Sequence, residues 1–542
     1  MRLSQSQVLT SVRFFRVFRK TIPYVLLALL PLTVGFVVAL AGMSILPYFS
    51  QGDYGYDPAY VYLFNGMGLM RGFAPGHVDH PGTPLQMLTG VITLADWSVR
   101  WLFGATTLNL EVAVLKDPEG YLLTISIVLL MLNIAAVFYL GLKVVRSSGS
   151  LAVAMLAQAG YLLFASQLPR FAYVSPEALT IFSAAIVMGL LSPYLFSSDP
   201  ERGGRIADPI LIGFFLALGL ISKITFLPVL GLMLLIPGFR SKRWCLASLL
   251  FFSAVFFGPA LSMFSHWRDF ILRLARHSQY YGEGPAEFIE IAAIPSRMWA
   301  FLENLPVLYV GFAAAALVGI VQLISARRLN QIFWQAGLFC AIIFLGLLSA
   351  IKHYGFRYAI PSLAIVPPVL AWSIFHFMKI VPGYRLGQAF GVAGLICTAA
   401  LSIPGIRTLM SNLSLVDSYR ARGLPFLNAA LAQHPDAIVI GTYGVRTLEY
   451  AIGFGLYYVK IPYQKMVAAG RSDLIIYFGG NSLYVTGKGE RDAQFANQLV
   501  ESGSEVLLLL PAGIEPPSKL KVRLLHQVPD RERLLQVLKP DS

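Results

Sequence analysis

Uncharged runs of about twenty residues follow one another through most of this chain, and few folds accommodate that pattern. The run from Thr21 to Pro47 contains no Asp, Glu, Lys or Arg, and about 20 apolar residues suffice to cross a bilayer as a helix. With 56% hydrophobic and only 13% charged residues, the composition excludes a set of soluble domains. It predicts an α-helical polytopic membrane protein of about eleven spans, near 22–46, 121–142, 150–169, 175–196, 209–222, 224–238, 244–264, 301–324, 332–350, 358–378 and 386–404.

The net charge of +14 is not a nucleic-acid signature, because Lys and Arg sit in short groups between the apolar runs. Lys143 and Arg146, Arg202 and Arg205, Arg240 with Lys242 and Arg243, Arg327 and Arg328, and Lys379 with Arg385 all follow even-numbered spans. Together with a basic N-terminus they fall on one side, which the positive-inside rule makes cytoplasmic. Lys223 interrupts an apolar stretch of about thirty residues, and reading two short helices that meet there keeps every basic connector on that side. Cys245, Cys340 and Cys397 each lie inside an apolar segment, so neither a disulfide framework nor a thiolate metal site is expected.

The predicted organisation is a basic cytoplasmic N-terminus at 1–20, a membrane domain at 21–404 with external loops at 48–120 and 265–300, and an external domain at 405–542. The first loop is long enough to carry function. Within it, residues 84–103 are apolar but interrupted by Asp96 and Arg100, which fits a helix lying in the membrane interface. After Pro404, strand-like runs at 437–441, 473–478 and 505–510 alternate with helical patterns near 423–433, 446–454 and 490–501. That alternation predicts a small α/β domain with a partly parallel sheet. Gly479-Gly480 lacks the spacing of a dinucleotide fingerprint.

Chemistry concentrates in Gln51–Leu88, which gathers Asp53, Asp57, His77, Asp79 and His80 between nearly pure hydrocarbon segments. Asp57-Pro58 opens a helix-compatible run, and an Asp at a helix start is held by free amides. His80-Pro81-Gly82 constrains the backbone beside Asp79. Asp57, Asp79, His77 and His80 offer divalent-metal donors without a fixed ligand spacing, so a metal is not favoured and no cofactor is expected. Ionisable residues at span ends are costly unless paired or wetted. Arg170, Glu177, Lys223, Lys352, His353 and Arg357 all occupy such ends on the predicted outer face. Arg170 and Glu177 are open to reading as snorkelling residues, whereas Lys223, at a helix-pair apex, points to phosphate contact.

Asp57-Pro58-Ala59-Tyr60, Leu69-Met70-Arg71-Gly72, Asp79-His80-Pro81-Gly82-Thr83-Pro84, Ser175-Pro176-Glu177, Gly219-Leu220-Ile221-Ser222-Lys223 and Arg357-Tyr358-Ala359-Ile360-Pro361 occur in an order that resembles the type-C (GT-C) glycosyltransferases. The likeness is to their protein O-mannosyltransferase and aminoarabinose-transferase branch, and it covers roughly residues 20–380. The chain departs from the family's acid pair at Asp57-Pro58 and from its Pro-Pro at Pro81-Gly82.

The resemblance implies inverting transfer of a sugar from a polyprenyl-phosphate donor to a lipid, glycan or protein acceptor outside the inner membrane. Asp57 is then the expected base with Asp79 beside it, and Lys223, Lys352, Arg357 and Arg170 the ligands of the donor phosphate. His80, Tyr60, Glu177 and His353 are the expected acceptor or sugar contacts. Two other readings share the multispan architecture. An oligosaccharide ligase or polymerase using a lipid-diphosphate donor would favour a denser arginine cluster. A transporter of lipid-linked glycans calls for charges at the bilayer midplane and repeat-related halves.

Overall fold

The computed structural model describes residues 23–39, 58–79, 82–196, 207–326 and 330–380, Tyr48, and short stretches beyond 392 of which 424–434, 437–441, 448–460, 490–510, 519–527 and 533–539 are the longest. The chain divides into two compact units, one made of 1–40, 78–85 and 126–409, the other of 41–77, 86–125 and 410–542.

In the first unit the predicted apolar runs become helices. Among the described residues six helices are long and apolar enough to cross a membrane, Pro118–Ser148 (whose residues 126–148 belong to this unit), Pro176–Phe196, Phe239–Arg276, Pro306–Ser325, Gln331–His353 and Phe356–Lys379. Pro23–Ala39, Leu151–Leu163, Asp208–Ser222 and Ile224–Leu235 are shorter apolar helices. The predicted eleventh span, 386–404, falls largely outside the described residues. Pro176–Phe196 and Phe356–Lys379 lie at the centre, with 83% and 89% of their most apolar stretch buried against 22–44% for the other four. The peripheral helices instead expose Phe36, Leu250, Phe251, Ile324 and Trp334, which is the composition a lipid-facing surface requires.

Helix ends follow local chemistry. Asn330 accepts a hydrogen bond from the Phe333 amide at 2.9 Å, an N-cap for Gln331–His353. Gly149, at φ +70°, ends Pro118–Ser148 in the left-handed conformation that glycine adopts without strain. Two boundaries differ from the sequence expectation. The segment predicted as one span at 301–324 is two helices, Ile294–Asn304 and Pro306–Ala326, because Pro306 starts the second helix and cannot continue the first. Predicted span 150–169 is α-helical only to Ala159 and then tightens to a 3-10 helix, Gly160–Phe171. A Cβ on Gly160 would stand 2.7 Å from the Cβ of Pro367, so the missing side chain lets the central helix approach.

Buried amides tie this unit together where apolar packing alone would not fix register. Asn133 donates to the carbonyls of Leu129, Phe171 and Ala178. Gln158 donates to Leu27 and Val137, and the Tyr161 hydroxyl donates to Ala364 at 3.0 Å.

The second unit contains helices Ala59–Met70, Leu110–Lys116 and Leu448–Tyr457 together with most of Thr83–Leu102, which spans the predicted interfacial segment. Gly66 and Gly90 make the close crossing here. A Cβ on Gly66 would meet the Gln86 carbonyl at 2.6 Å and the Gly90 amide at 2.7 Å. Asn65 joins the loop and C-terminal segments by donating to Tyr458 O at 3.0 Å while accepting from the Gly76 amide at 2.7 Å.

The α/β part is a four-stranded sheet of β1 (Ile438–Gly441), β2 (Val506–Leu510), β3 (Val522–Gln527) and β4 (Arg533–Val537), in the order β1-β2-β4-β3. β1 pairs parallel with β2 and the rest is antiparallel, the mixed sheet that the alternation predicts. Helix Leu424–Leu431 contributes Leu427 and Ala430 to one face, against Leu507, Leu509 and Leu534. Helix Glu490–Glu501 contributes Ala496 and Val500 to the other. β3 and β4 went unread in the sequence. The predicted strand 473–478 lies outside the described residues.

Candidate anion-binding site

Lys223 takes an extended conformation, φ −156° and ψ 124°, and this single residue separates helix Ala207–Ser222 from the 3-10 helix Ile224–Leu235. The two short helices of the sequence reading therefore exist, with the lysine at their junction. A Cβ on Gly219 would collide with the Phe226 ring at 2.5 Å, so that glycine lets the second segment fold back closely.

The lysine points inward. It is 1% exposed, and its Nζ donates to Glu177 Oε1 at 2.5 Å. Glu177, 2% exposed, stands in the first turn of Pro176–Phe196. Burying two ions costs several kcal/mol each and is offset only when the pair is close and further partners are present. Arg170 and Arg357 attract the Glu177 carboxylate and repel the Lys223 ammonium. Among the described residues, three cations thus act on this one carboxylate.

Aromatic rings frame the cations. Lys223 Nζ lies 5.2 Å from the centre of the Tyr358 ring, and the Arg357 guanidinium 5.4 Å from Tyr281 and 5.9 Å from Tyr358. Arg170 stacks on Tyr173 at 5.3 Å. Such faces stabilise cations where water is scarce. Arg357 also donates to the Tyr281 hydroxyl, which brings the segment 278–284 to the cluster. Tyr281 and Gln279 hold φ values of +52° and +63°, and Tyr354 one of +48°. Three non-glycine residues in the left-handed region at one place mark a backbone held by its surroundings.

Lys352 and His353 serve that segment. Lys352 Nζ donates to Ala275 O at 2.9 Å and lies 4.1 Å from the Phe288 ring centre, and the Gln279 amide donates to Lys352 O. His353 Nδ1 is 3.1 Å from Gln279 O, with its ring against Tyr358. Lys352 therefore braces the loop while Arg170, Lys223 and Arg357 converge on Glu177. Arg297, which the sequence reading passed over, pairs with Glu290 and donates to Ile351 O at 3.2 Å.

Asp79 belongs to the same unit. The Gly82 amide donates to Ile221 O at 2.9 Å, two residues before Lys223, so the segment after Asp79 is fastened to the helix end that delivers the lysine. Asp79 Oδ1 lies 3.2 Å from His266 Nε2, with both side chains partly exposed. His266 was legible in the sequence only as a residue of the second external loop.

In the other unit, Tyr60 donates to Glu119 Oε1 at 2.6 Å, and Glu119 also accepts from the Tyr48 amide. The His77 ring meets Tyr62 and Tyr458 edge-on, and its carbonyl accepts from Gln86. Arg71 and Glu111 form a two-bond ion pair. Burial, ahead of the nearby Glu111 carboxylate, raises the Tyr463 phenol well above the usual tyrosine range.

Asp57 and His80 lie outside the described residues. Among the described residues no three His, Cys, Asp or Glu side chains gather as a metal-ligand set.

No family model matches the chain, and no curated protein matches it. Solved structures do. The chain is similar to ArnT, an aminoarabinose transferase, from Cupriavidus metallidurans bound to undecaprenyl phosphate, with 10% identity over 95% of this chain and 98% of that one and a TM-score of 0.51. The same enzyme in its apo state gives 11% identity, 94% and 97% coverage and a TM-score of 0.47. An Archaeoglobus fulgidus oligosaccharyltransferase tethered with an acceptor peptide gives 13% identity over 71% of this chain and 55% of that one, with a TM-score of 0.38. The chain has an ArnT-like fold over nearly its whole length, with a small C-terminal sheet.

Proposed function

We propose that this multi-pass membrane protein transfers a sugar from a polyprenyl-phosphate-linked donor to a lipid, glycan or protein acceptor at the outer face of the bacterial inner membrane, with its C-terminal α/β part on that same side. The observation that carries the reading is the buried junction of Lys223 and Glu177 with Arg170 and Arg357, a group of three cations that suits a phosphate. The ArnT-like fold supports it, since that neighbour binds undecaprenyl phosphate.

In the proposed reaction the acceptor hydroxyl gives its proton to the Asp57 carboxylate, and its oxygen attacks the anomeric carbon from the face opposite the phosphate. The C–O bond to the phosphate breaks and the phosphate leaves with the electron pair, so the anomeric centre inverts. Asp79, fastened through Gly82, orients the acceptor or the base. Charge on the leaving group grows toward the −1.5 to −2 of a phosphate monoester. Fixed cations in a water-poor site stabilise such growing charge most effectively.

Lys352 and His353 hold segment 278–284 over the cluster, where it excludes water once donor is bound. Purified protein incubated with polyprenyl-phosphate sugars is expected to release polyprenyl phosphate, and Asp57→Asn and Lys223→Ala to lose that activity. Normal turnover by both variants overturns the assignment.

A further inference from the structure

The cations are not the whole site. Four buried hydroxyl groups, three near the cluster in the chain on Ser175, Ser222 and Thr225 and one on Thr83 in the segment fastened to Ile221, have no hydrogen-bond partner among the described residues. Thr83, Ser175 and Ser222 are 0% exposed and Thr225 is 7%. Each stands within two residues of a group in the contact network. Ser222 and Thr225 flank Lys223, Ser175 precedes Glu177 by two, and Thr83 follows Gly82, whose amide is bonded to Ile221 O.

Many serines and threonines elsewhere in this chain find a backbone carbonyl, although Thr93, Ser183, Ser253 and Ser373 also lack a partner among the described residues. Thr180 donates to Glu177 O at 2.8 Å, Ser192 to Met188 O at 3.0 Å and Ser362 to Ile342 O at 3.4 Å, the usual resort of a hydroxyl in an apolar helix. An unmade bond at a buried hydroxyl is costly, whereas one made to an ionised acceptor is among the stronger kinds. A phosphate brings several strong acceptor oxygens. It alone among common lipid head groups matches neutral donors interleaved with cations.

Resting on the phosphate reading above, we infer that Ser222 and Thr225, seconded by Ser175 and Thr83, are ligands of the lipid phosphate oxygens, and that Glu177 is the internal counter-ion holding Lys223 until that phosphate arrives. The ligand-free protein keeps its lysine neutralised and its hydroxyls unspent, and the bound phosphate takes both.

The test measures binding of undecaprenyl phosphate, inorganic phosphate and undecaprenol to the full-length purified protein and to Ser222→Ala, Thr225→Val, Thr225→Ser and Ser192→Ala, with melting temperature read in parallel. The first two variants are expected to bind undecaprenyl phosphate about tenfold more weakly each, with undecaprenol unaffected. Thr225→Ser and Ser192→Ala are expected to bind like the parent. Ligand-free Ser222→Ala and Thr225→Val should melt no lower than the parent, because each loses an unsatisfied group. A merely structural hydroxyl predicts the reverse, a lower melting temperature with affinity unchanged, and that result overturns the inference. Weakening confined to inorganic phosphate overturns the lipid assignment. Parent-like binding by Ser222→Ala and Thr225→Val, with Arg357→Ala impaired, overturns the hydroxyl role and leaves the site's function standing. Failure of the parent to distinguish undecaprenyl phosphate from undecaprenol overturns both.

Discussion

Removing either member of the buried Lys223–Glu177 pair is not expected to do equal damage, because their surroundings differ. Glu177→Gln removes the carboxylate on which three cations act. Breaking a buried pair from one side costs about 3–5 kcal/mol in practice. Lys223→Met, by contrast, leaves Glu177 acted on by Arg170 and Arg357. It forfeits one charged hydrogen bond, worth about 1.5–3 kcal/mol, and Met fills much of the same volume. The assay is thermal unfolding of purified protein in detergent, with and without saturating undecaprenyl phosphate. Glu177→Gln is expected to melt lower than Lys223→Met and to recover more of its stability when the anion is added. Equal losses, or a larger loss from Lys223→Met, would refute the premise that three cations depend on the Glu177 carboxylate.

Asp57→Asn is expected to reduce kcat about 10²–10⁴-fold with the donor KM little changed, as loss of a proton acceptor should; steady-state kinetics checks it. Arg357→Lys keeps the charge but loses the planar fork that meets phosphate in two bonds, so donor KM should rise about tenfold. Gly66→Ala drives a methyl into backbone of Gln86 and Gly90, and overpacking of about 1–3 kcal/mol should lower the melting temperature. Gly104→Ala, where no atom lies within 4 Å but φ is +72°, tests conformational strain alone and should cost about 1 kcal/mol.

Much of the membrane fold was legible because hydropathy is local. The spans at 121–142, 175–196, 332–350 and 358–378 lie on helices where apolar run length placed them, and the break at Lys223 followed from one cation in thirty apolar residues. The gathering of Arg170, Glu177, Lys223 and Arg357 was legible only as shared sidedness. That Lys223 is bonded to Glu177, 46 residues away, depends on how two helices pack, which no window of sequence contains. The roles of Tyr281 and Lys352 were hidden for the same reason. β3 and β4 were missed because Lys-Val-Arg-Leu-Leu-His-Gln and Arg-Glu-Arg-Leu-Leu-Gln-Val mix charge into short apolar runs. Their strand character comes from pairing with β2 and with each other, not from alternation.

The central claim is that a lipid phosphate seats at the junction of helices Ala207–Ser222, Ile224–Leu235 and Pro176–Phe196. Photocrosslinking of a polyprenyl phosphate analogue carrying its reactive group beside the phosphate, followed by peptide mapping, asks this directly. Labelling at residues 170–177, 222–225 and 357 that unlabelled undecaprenyl phosphate suppresses and undecaprenol does not is the expected result. Label confined to residues 424–539, or label that both lipids suppress equally, would contradict the account.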